Sequence, residues 1–393
     1  MTHADLTVAD SASGDRADAV NALKAAATAF LASRLALLLG GWLTLTFLDS
    51  RNPSQHGTSA TWKQLSDLTY RFDAGWYWLI AKLGYSTGSP AVQPHAINLA
   101  FWPAFPYLAR FLAAATGMSI LAAGVVIANL AFFLCLYLLY RYCVLVGLGK
   151  ELATLAVFLM ALVPESFLFS AFYADALSTL GMLGAIYFAR RERWWVAGLF
   201  AVLASSSRPT GITVIVFLVV HAYQTLGWRG FLQPWRDARP FVPVVLVPAG
   251  YFLMLWVSFR VSGDAFAEVH TRSAGWYVNF APPLRSLADD FRHGTALKFW
   301  TLGALGLATS IIPLVRARLM PDAIFALTYF ALIFSQNNPA GLIHYSAGLP
   351  VIYVGFALMC KRSHATRYAL LGSFAAVNAV LFCAWALFSS ISI

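Results

Sequence analysis

Charge is what this sequence has least of. Only 11% of its 393 residues are Asp, Glu, Lys or Arg, against about 25% in soluble domains, so the chain cannot cover a water-facing surface. Acidic residues are scarcer still, 17 against 27 basic ones, leaving a formal charge of +10. That excess does not point to nucleic acid. The cations fall in short hydrophilic breaks between apolar runs: Arg141 to Lys150, Arg190 to Arg193, Arg229 to Arg239, Arg316 to Arg318 and Lys361 to Arg367. They recur at every second loop, the pattern of cytoplasmic loops under the positive-inside rule. Cysteine is nearly absent as well. Cys135, Cys143, Cys360 and Cys383 lie in or beside apolar runs or in a basic loop, which leaves no place for an external disulfide. The one N-x-S/T match, at Asn52, is spoiled by Pro53, which favours a bacterial plasma membrane over the endoplasmic reticulum. No D-x-D or H-E-x-x-H signature suggests a divalent metal, and none is expected.

What is there instead is 60% hydrophobic and 15% aromatic residues. At about 20 apolar residues per span, the chain reads as an all-α polytopic membrane protein. Residues 1–26 form a polar N-terminal tail carrying Asp5, Asp10, Asp15 and Asp18, with no signal-peptide pattern. Residues 27–393 form one integral-membrane domain. Its first span covers 27–48, with Arg34 placed to snorkel, and ten more follow at about 119–140, 151–168, 172–189, 194–207, 211–226, 241–260, 297–315, 321–336, 343–360 and 367–388. Eleven spans put the N-terminus inside and the C-terminus outside. Between the first two, 49–118 is too polar for a span and too aromatic for a loose loop. Leu65 to Leu83 and Leu99 to Ala114 read as interfacial amphipathic helices, separated by Pro90, Pro94, Pro103 and Pro106. A second long external loop, 262–298, carries Asp264, Glu268, His270, Arg272, Asp289, Asp290 and His293, and its charges balance.

An ionisable side chain in hydrocarbon costs on the order of 2.5 to 3.5 kcal/mol, so the polar residues at the ends of apolar helices mark the place to look. They gather on one side. Asp73 lies in YRFDAGWYWLIAKLGY of the first loop, beside Arg71, Trp76 and Tyr77. Glu165 follows Pro164, Asp175 opens the fourth span in FYADAL, Arg208 sits in SSRPTG, and His344 with Tyr345 enters the tenth span in IHYS. Carboxylates facing cations at a lipid interface suit a substrate with a hydroxyl to activate and a phosphate to hold.

The runs RFDAGWYWLIAKLGY, INLAFWPAFPYLAR, PESFLFSAFYADALSTL and WWVAGLFAVLASSSRPTG resemble, in order and spacing over residues 70 to 211, the bacterial relatives of the PIG-V mannosyltransferases. The later IHYSAGLP is similar to a family element that usually carries Arg where His344 stands, and Asp175 replaces the usual Glu. The resemblance implies a GT-C glycosyltransferase: an inverting enzyme that takes a sugar, mannose by family, from a polyprenyl-phosphate carrier. The acceptor is a hydroxyl of a glycolipid or glycan on the non-cytoplasmic face. It implies Asp73 as the catalytic base and no cofactor. Arg71, Trp76, Tyr77, Glu165, Asp175, Arg208, His344 and Tyr345 are the expected substrate contacts, with Arg208 and His344 on the phosphate.

Each residue also has a plainer reading. Asp73 could pair with Arg71 or cap a helix, and the Trp76 to Trp78 aromatics could form an interfacial belt. Glu165 and Asp175 could do no more than terminate helices, and Arg208 could mark a turn before Pro209. The acids of the second loop read most simply as solvated, with Trp276 and Tyr277 placed to cover a substrate. A transporter or flippase of a lipid-linked sugar is the alternative function. It predicts repeat symmetry and polar groups near the midplane, and neither is visible here.

Overall fold

A computed structural model describes residues 3–49, 59–88, 95–293 and 297–389. Asn52, Pro53, Pro90 and Pro94 lie outside the described residues, as do the side chains of Asp5, Asp10, Asp290, His293 and Lys298. The expectation of an all-helical chain holds: among the described residues there is no strand, only one antiparallel bridge between Phe280 and Gln336. In chain order the helices are α1 His3–Phe47, α2 Trp62–Asp67, α3 Ala74–Leu83, α4 Ala104–Thr116, α5 Ile120–Leu145 and α6 Gly149–Leu162. Next come α7 Asp175–Arg190, α8 Trp194–Ser207, α9 Val214–Phe231, α10 Val242–Ser262, α11 Ala267–Trp276 and α12 Pro283–His293. Last are α13 Leu297–Ala308, α14 Ile311–Arg316, α15 Met320–Phe334, α16 Leu342–Ala347, α17 Val351–Met359 and α18 His364–Ala386.

Several sequence expectations change. Residues 1–26 are not a separate tail: α1 is helical from His3 and runs unbroken into the first span. Its acids dock on the basic loops, Asp15 pairing with Arg141 and Asp18 with Lys150 at 3.5 Å. Arg34 does not snorkel. Its guanidinium is buried and hydrogen-bonds the Ser166 carbonyl at 3.1 Å and the Ser170 hydroxyl at 2.8 Å. The helix expected over 65–83 is two helices, because Phe72 turns the chain in the left-handed region (φ 52°).

The expected spans are not all single long helices. Among the described residues six helices are long and apolar enough to cross a membrane: Asp15–Phe47, Ile120–Leu145, Pro209–Phe231, Arg239–Ser262, Phe299–Arg316 and His364–Ala386. The runs 151–168, 172–189, 194–207, 321–336 and 343–360 yield helices of 14, 16, 14, 15 and 9 residues. At 1.5 Å per residue, α6, α7 and α8 reach about 21 to 24 Å, short of the roughly 30 Å hydrocarbon core. All three share one end with the basic stretches at Lys150 and Arg190 to Arg193. Their other ends stop at Val163, Asp175 and Arg208.

Small residues bring these short helices together. An added Cβ at Gly181 would fall 2.4 Å from the Ala204 backbone nitrogen, and one at Gly250 would fall 2.4 Å from that of Ser206. The backbones of α7 and α10 thus converge on the last turn of α8, the close approach that small residues permit between helices in lipid. Gly124 of α5 does the same for the Phe172 ring, which an added Cβ would meet at 2.1 Å. The segment joining α6 to α7 is therefore held against α5, and Asp175 and Arg208 are held at adjoining helix ends.

Candidate active site

The truncated ends of α7 and α8 meet the two long loops at a cavity of about 140 Å³. Asp73, Tyr77 and Trp102 line it from the first loop, Arg208 and Thr210 from below, Arg272 and Trp276 from α11, and Tyr345 from α16.

Asp73 directly precedes α3, where an aspartate ordinarily accepts a capping bond. Its carboxylate makes no such bond. Nor does it pair with Arg71, whose guanidinium turns away and donates to the Trp385 carbonyl at 3.2 Å and the Ala386 carbonyl at 2.8 Å. Arg71 therefore closes the end of α18 and lies over the Phe388 ring at 3.8 Å; it is not brought to the cavity. What fixes Asp73 is its backbone, since its N–H donates to the Tyr173 hydroxyl at 2.9 Å. That hydroxyl in turn donates to the Arg71 carbonyl at 3.0 Å. The carboxyl is left facing the cavity. Burial raises its pKa to about 6, with Arg208 and Arg272 holding it down and Asp175 pushing it up.

Arg208 leaves the C-terminus of α8 in extended conformation. One terminal nitrogen forms an ion pair with Asp175, the first residue of α7, and the other lies 3.2 Å from His344 Nε2. A guanidinium only donates, so His344 Nε2 accepts and the neutral ring carries its proton on Nδ1. An added Cβ on Gly341 would meet that Nδ1 at 3.1 Å. The Nδ1 atom is buried without a hydrogen-bond partner among the described residues, and the residue does not line the cavity. Tyr345 does, with its ring centroid 5.0 Å from the Arg208 guanidinium carbon.

Trp76 does not line the cavity itself but packs on two residues that do, stacked on Phe101 at 5.9 Å and set edge-on to Trp276 at 5.5 Å. Tyr77 sits behind it against Phe101, Phe105 and Tyr173. Glu165 is not brought to the cavity. It is 1% exposed, in the left-handed region (φ 66°), and neither carboxyl oxygen has a hydrogen-bond partner among the described residues.

Loop 262–298 is more than a solvated strap. Glu268 is buried, accepts from Trp102 Nε1 at 3.4 Å and lies 3.6 Å from Arg272. An added Cβ on Gly275 would fall 2.8 Å from Ala96 Cα, so α11 is pressed onto the first loop. The only local signal for this in the sequence was the i, i+4 pair Glu268/Arg272. Trp276 does cover the cavity, as expected, whereas Tyr277 is largely exposed. His270 pairs with Asp264 at 2.6 Å on the exposed side of α11. Among the described residues no three His, Cys, Asp or Glu side chains cluster.

The model of the mannosyltransferase (PIG-V) family matches residues 45–261, more than half of the chain. The chain belongs to the PIG-V mannosyltransferase family. It is thus a multi-pass membrane protein of a glycosyltransferase family, and the matched stretch contains Asp73, Asp175 and Arg208. His344, Tyr345 and Arg272 lie beyond it. No curated protein matches the chain. Among solved structures it is similar to the oligosaccharyltransferase of Archaeoglobus fulgidus crystallised with zinc and sulfate. The identity is 17% and the TM-score 0.44, over 91% of this chain and 53% of that one. It is similar too to the A. fulgidus oligosaccharyltransferase AglB in complex with an inhibitory peptide and a dolichol-phosphate. There the identity is 16% and the TM-score 0.42, over 92% and 55% of the two chains. This chain spans about half the length of those structures, and at such scores the likeness decides nothing about its site.

Proposed function

We propose that this PIG-V family member is an inverting GT-C glycosyltransferase. It moves a sugar, mannose by family, from a polyprenyl-phosphate carrier to a hydroxyl of a lipid-linked or glycan acceptor. The reaction takes place on the non-cytoplasmic face of a bacterial plasma membrane. The observation that carries this reading is Asp73: a carboxylate aimed into a cavity, free of capping and ion-pair duty, with a pKa of about 6. It is ionised near neutral pH and still basic enough to take a proton, the property a general base needs.

In the step proposed, the acceptor oxygen forms its bond to the anomeric carbon and its proton passes to Asp73. The bond from that carbon to the phosphate oxygen breaks on the opposite side, and the phosphate leaves with the electron pair. The Trp76, Phe101 and Trp276 group offers flat faces to a sugar ring. The acidic Asp175 keeps Arg208 in place beneath it.

The test uses the purified chain in liposomes with radiolabelled polyprenyl-phosphate mannose and a host lipid extract, comparing wild type with Asp73→Asn. Transfer by wild type and its loss in a folded Asp73→Asn protein supports both reaction and base. Equal transfer by the two removes Asp73 from the role. Movement of the labelled lipid across the bilayer without transfer would instead support the flippase alternative.

A further inference from the structure

The sequence places the carrier phosphate on Arg208 and His344, and the geometry argues against both. Arg208 is charge-balanced by Asp175, and its two terminal nitrogens face Asp175 and His344. His344 accepts from Arg208 at Nε2, its buried Nδ1 has no hydrogen-bond partner among the described residues, and it does not line the cavity. One other cation lines the cavity among the described residues, and it comes from α11.

We infer that Arg272 grips the carrier phosphate, and that Arg208 shapes the floor beneath the reacting sugar. This rests on the donor reading above. Arg272 reaches the cavity from α11, and its carboxylate neighbour, Glu268, lies at 3.6 Å. A charge-assisted N–H to O bond runs at about 2.7 to 2.9 Å, so the ion pair of Arg272 with Glu268 is looser than the close pair of Arg208 with Asp175. Glu268 is shared between two partners, also accepting from Trp102 Nε1 at 3.4 Å. Trp102 also lines the cavity, and Gly275 locks α11 onto Ala96. Arg272 thus lines the same cavity as Asp73, on a helix held against the first loop. A displacement at a sugar carbon needs a base for the acceptor and a cation for the leaving group at one site, and these two residues supply that pair. The leaving phosphate gains a negative charge as its bond breaks, and a fork-shaped cation meets two of its oxygens at once. The two external loops are therefore needed together: the first brings the base, the second the anion site.

The test measures binding of a polyprenyl monophosphate to the full-length chain in lipid nanodiscs, with the uncharged polyprenol of the same length beside it. Wild type, Arg272→Gln, Arg272→Lys and His344→Gln are compared, each with its melting temperature. Wild type should prefer the phosphate by about tenfold or more, the scale of one charged hydrogen-bonding group. Arg272→Gln should lose that preference while binding polyprenol as before, Arg272→Lys should regain part of it, and His344→Gln should keep it. Retention of the preference by Arg272→Gln overturns the inference, as does equal weakening toward both ligands, which marks a structural role. A wild-type protein that binds phosphate and polyprenol alike overturns the carrier assignment itself, and this inference with it.

Discussion

The hydroxyl of Tyr173 accepts the backbone N–H of Asp73 at 2.9 Å. Because the same hydroxyl donates to the Arg71 carbonyl at 3.0 Å, one tyrosine spans the turn that presents the proposed base. Tyr173→Phe keeps the ring packing and removes both bonds. The expected result is a fall in kcat of roughly ten- to a hundredfold, the range for a misaimed catalytic group, with KM little changed. Steady-state transfer kinetics on the purified variant check it.

Asp73 gives a pH prediction. Its carboxyl is raised to about 6, and only the ionised form acts as a base. Activity is therefore full above that value, and kcat/KM drops about tenfold per pH unit below it. Arg272 is one of the charges holding this pKa down, so in Arg272→Gln the acid limb should move to higher pH. A pH profile of kcat/KM for the two proteins decides both points, and an acid limb unmoved in the variant would separate Arg272 from Asp73.

The Asp175–Arg208 pair is buried at the junction of α7 and α8. Removing one partner of a buried pair leaves the other charge uncompensated, which costs about 3 to 5 kcal/mol. Asp175→Ala should therefore lower the thermal midpoint sharply, and the double variant Asp175→Ala/Arg208→Leu should recover part of the loss. Melting curves in detergent of wild type, the two single variants and the double give the coupling directly.

Gly181 is a distant lever on the same pair. A valine there would drive its Cβ into the Ala204 backbone, where an added Cβ already lies at 2.4 Å. The α7 and α8 backbones must then part, moving Arg208 from Asp175. The expected outcome is loss of stability together with activity, whereas Gly372→Val, at a position with nothing near an added Cβ, should change neither. Thermal melts and transfer assays on both variants check this.

The sequence made part of the site visible because ionisable residues at the ends of apolar helices are expensive and so conspicuous. Asp73, Asp175, Arg208 and Tyr345 stand out on that ground, and the structure brings them together. Arg71 stands out for the same reason but faces elsewhere, because the left-handed Phe72 between them turns neighbouring side chains apart. The bond between Trp102 and Glu268 joins residues 166 apart, and local pattern carries no trace of such a pairing. The breaks within the apolar runs were hidden for a related reason. Ser166–Ser170 is a 3-10 turn buried in protein, and its apolar residues read like a continuing helix because periodicity does not separate burial in lipid from burial in a core.

The shortness of α6, α7 and α8 has a consequence for side reactions. An activated sugar on a phosphate carrier is open to attack by water as well as by an acceptor. A site at the ends of these helices, lined by Trp102 and Trp276, meets little bulk solvent, and shelter of that kind suppresses wasteful hydrolysis. Short helices that end at the floor of the cavity would thus let the proposed donor stay intact until an acceptor arrives.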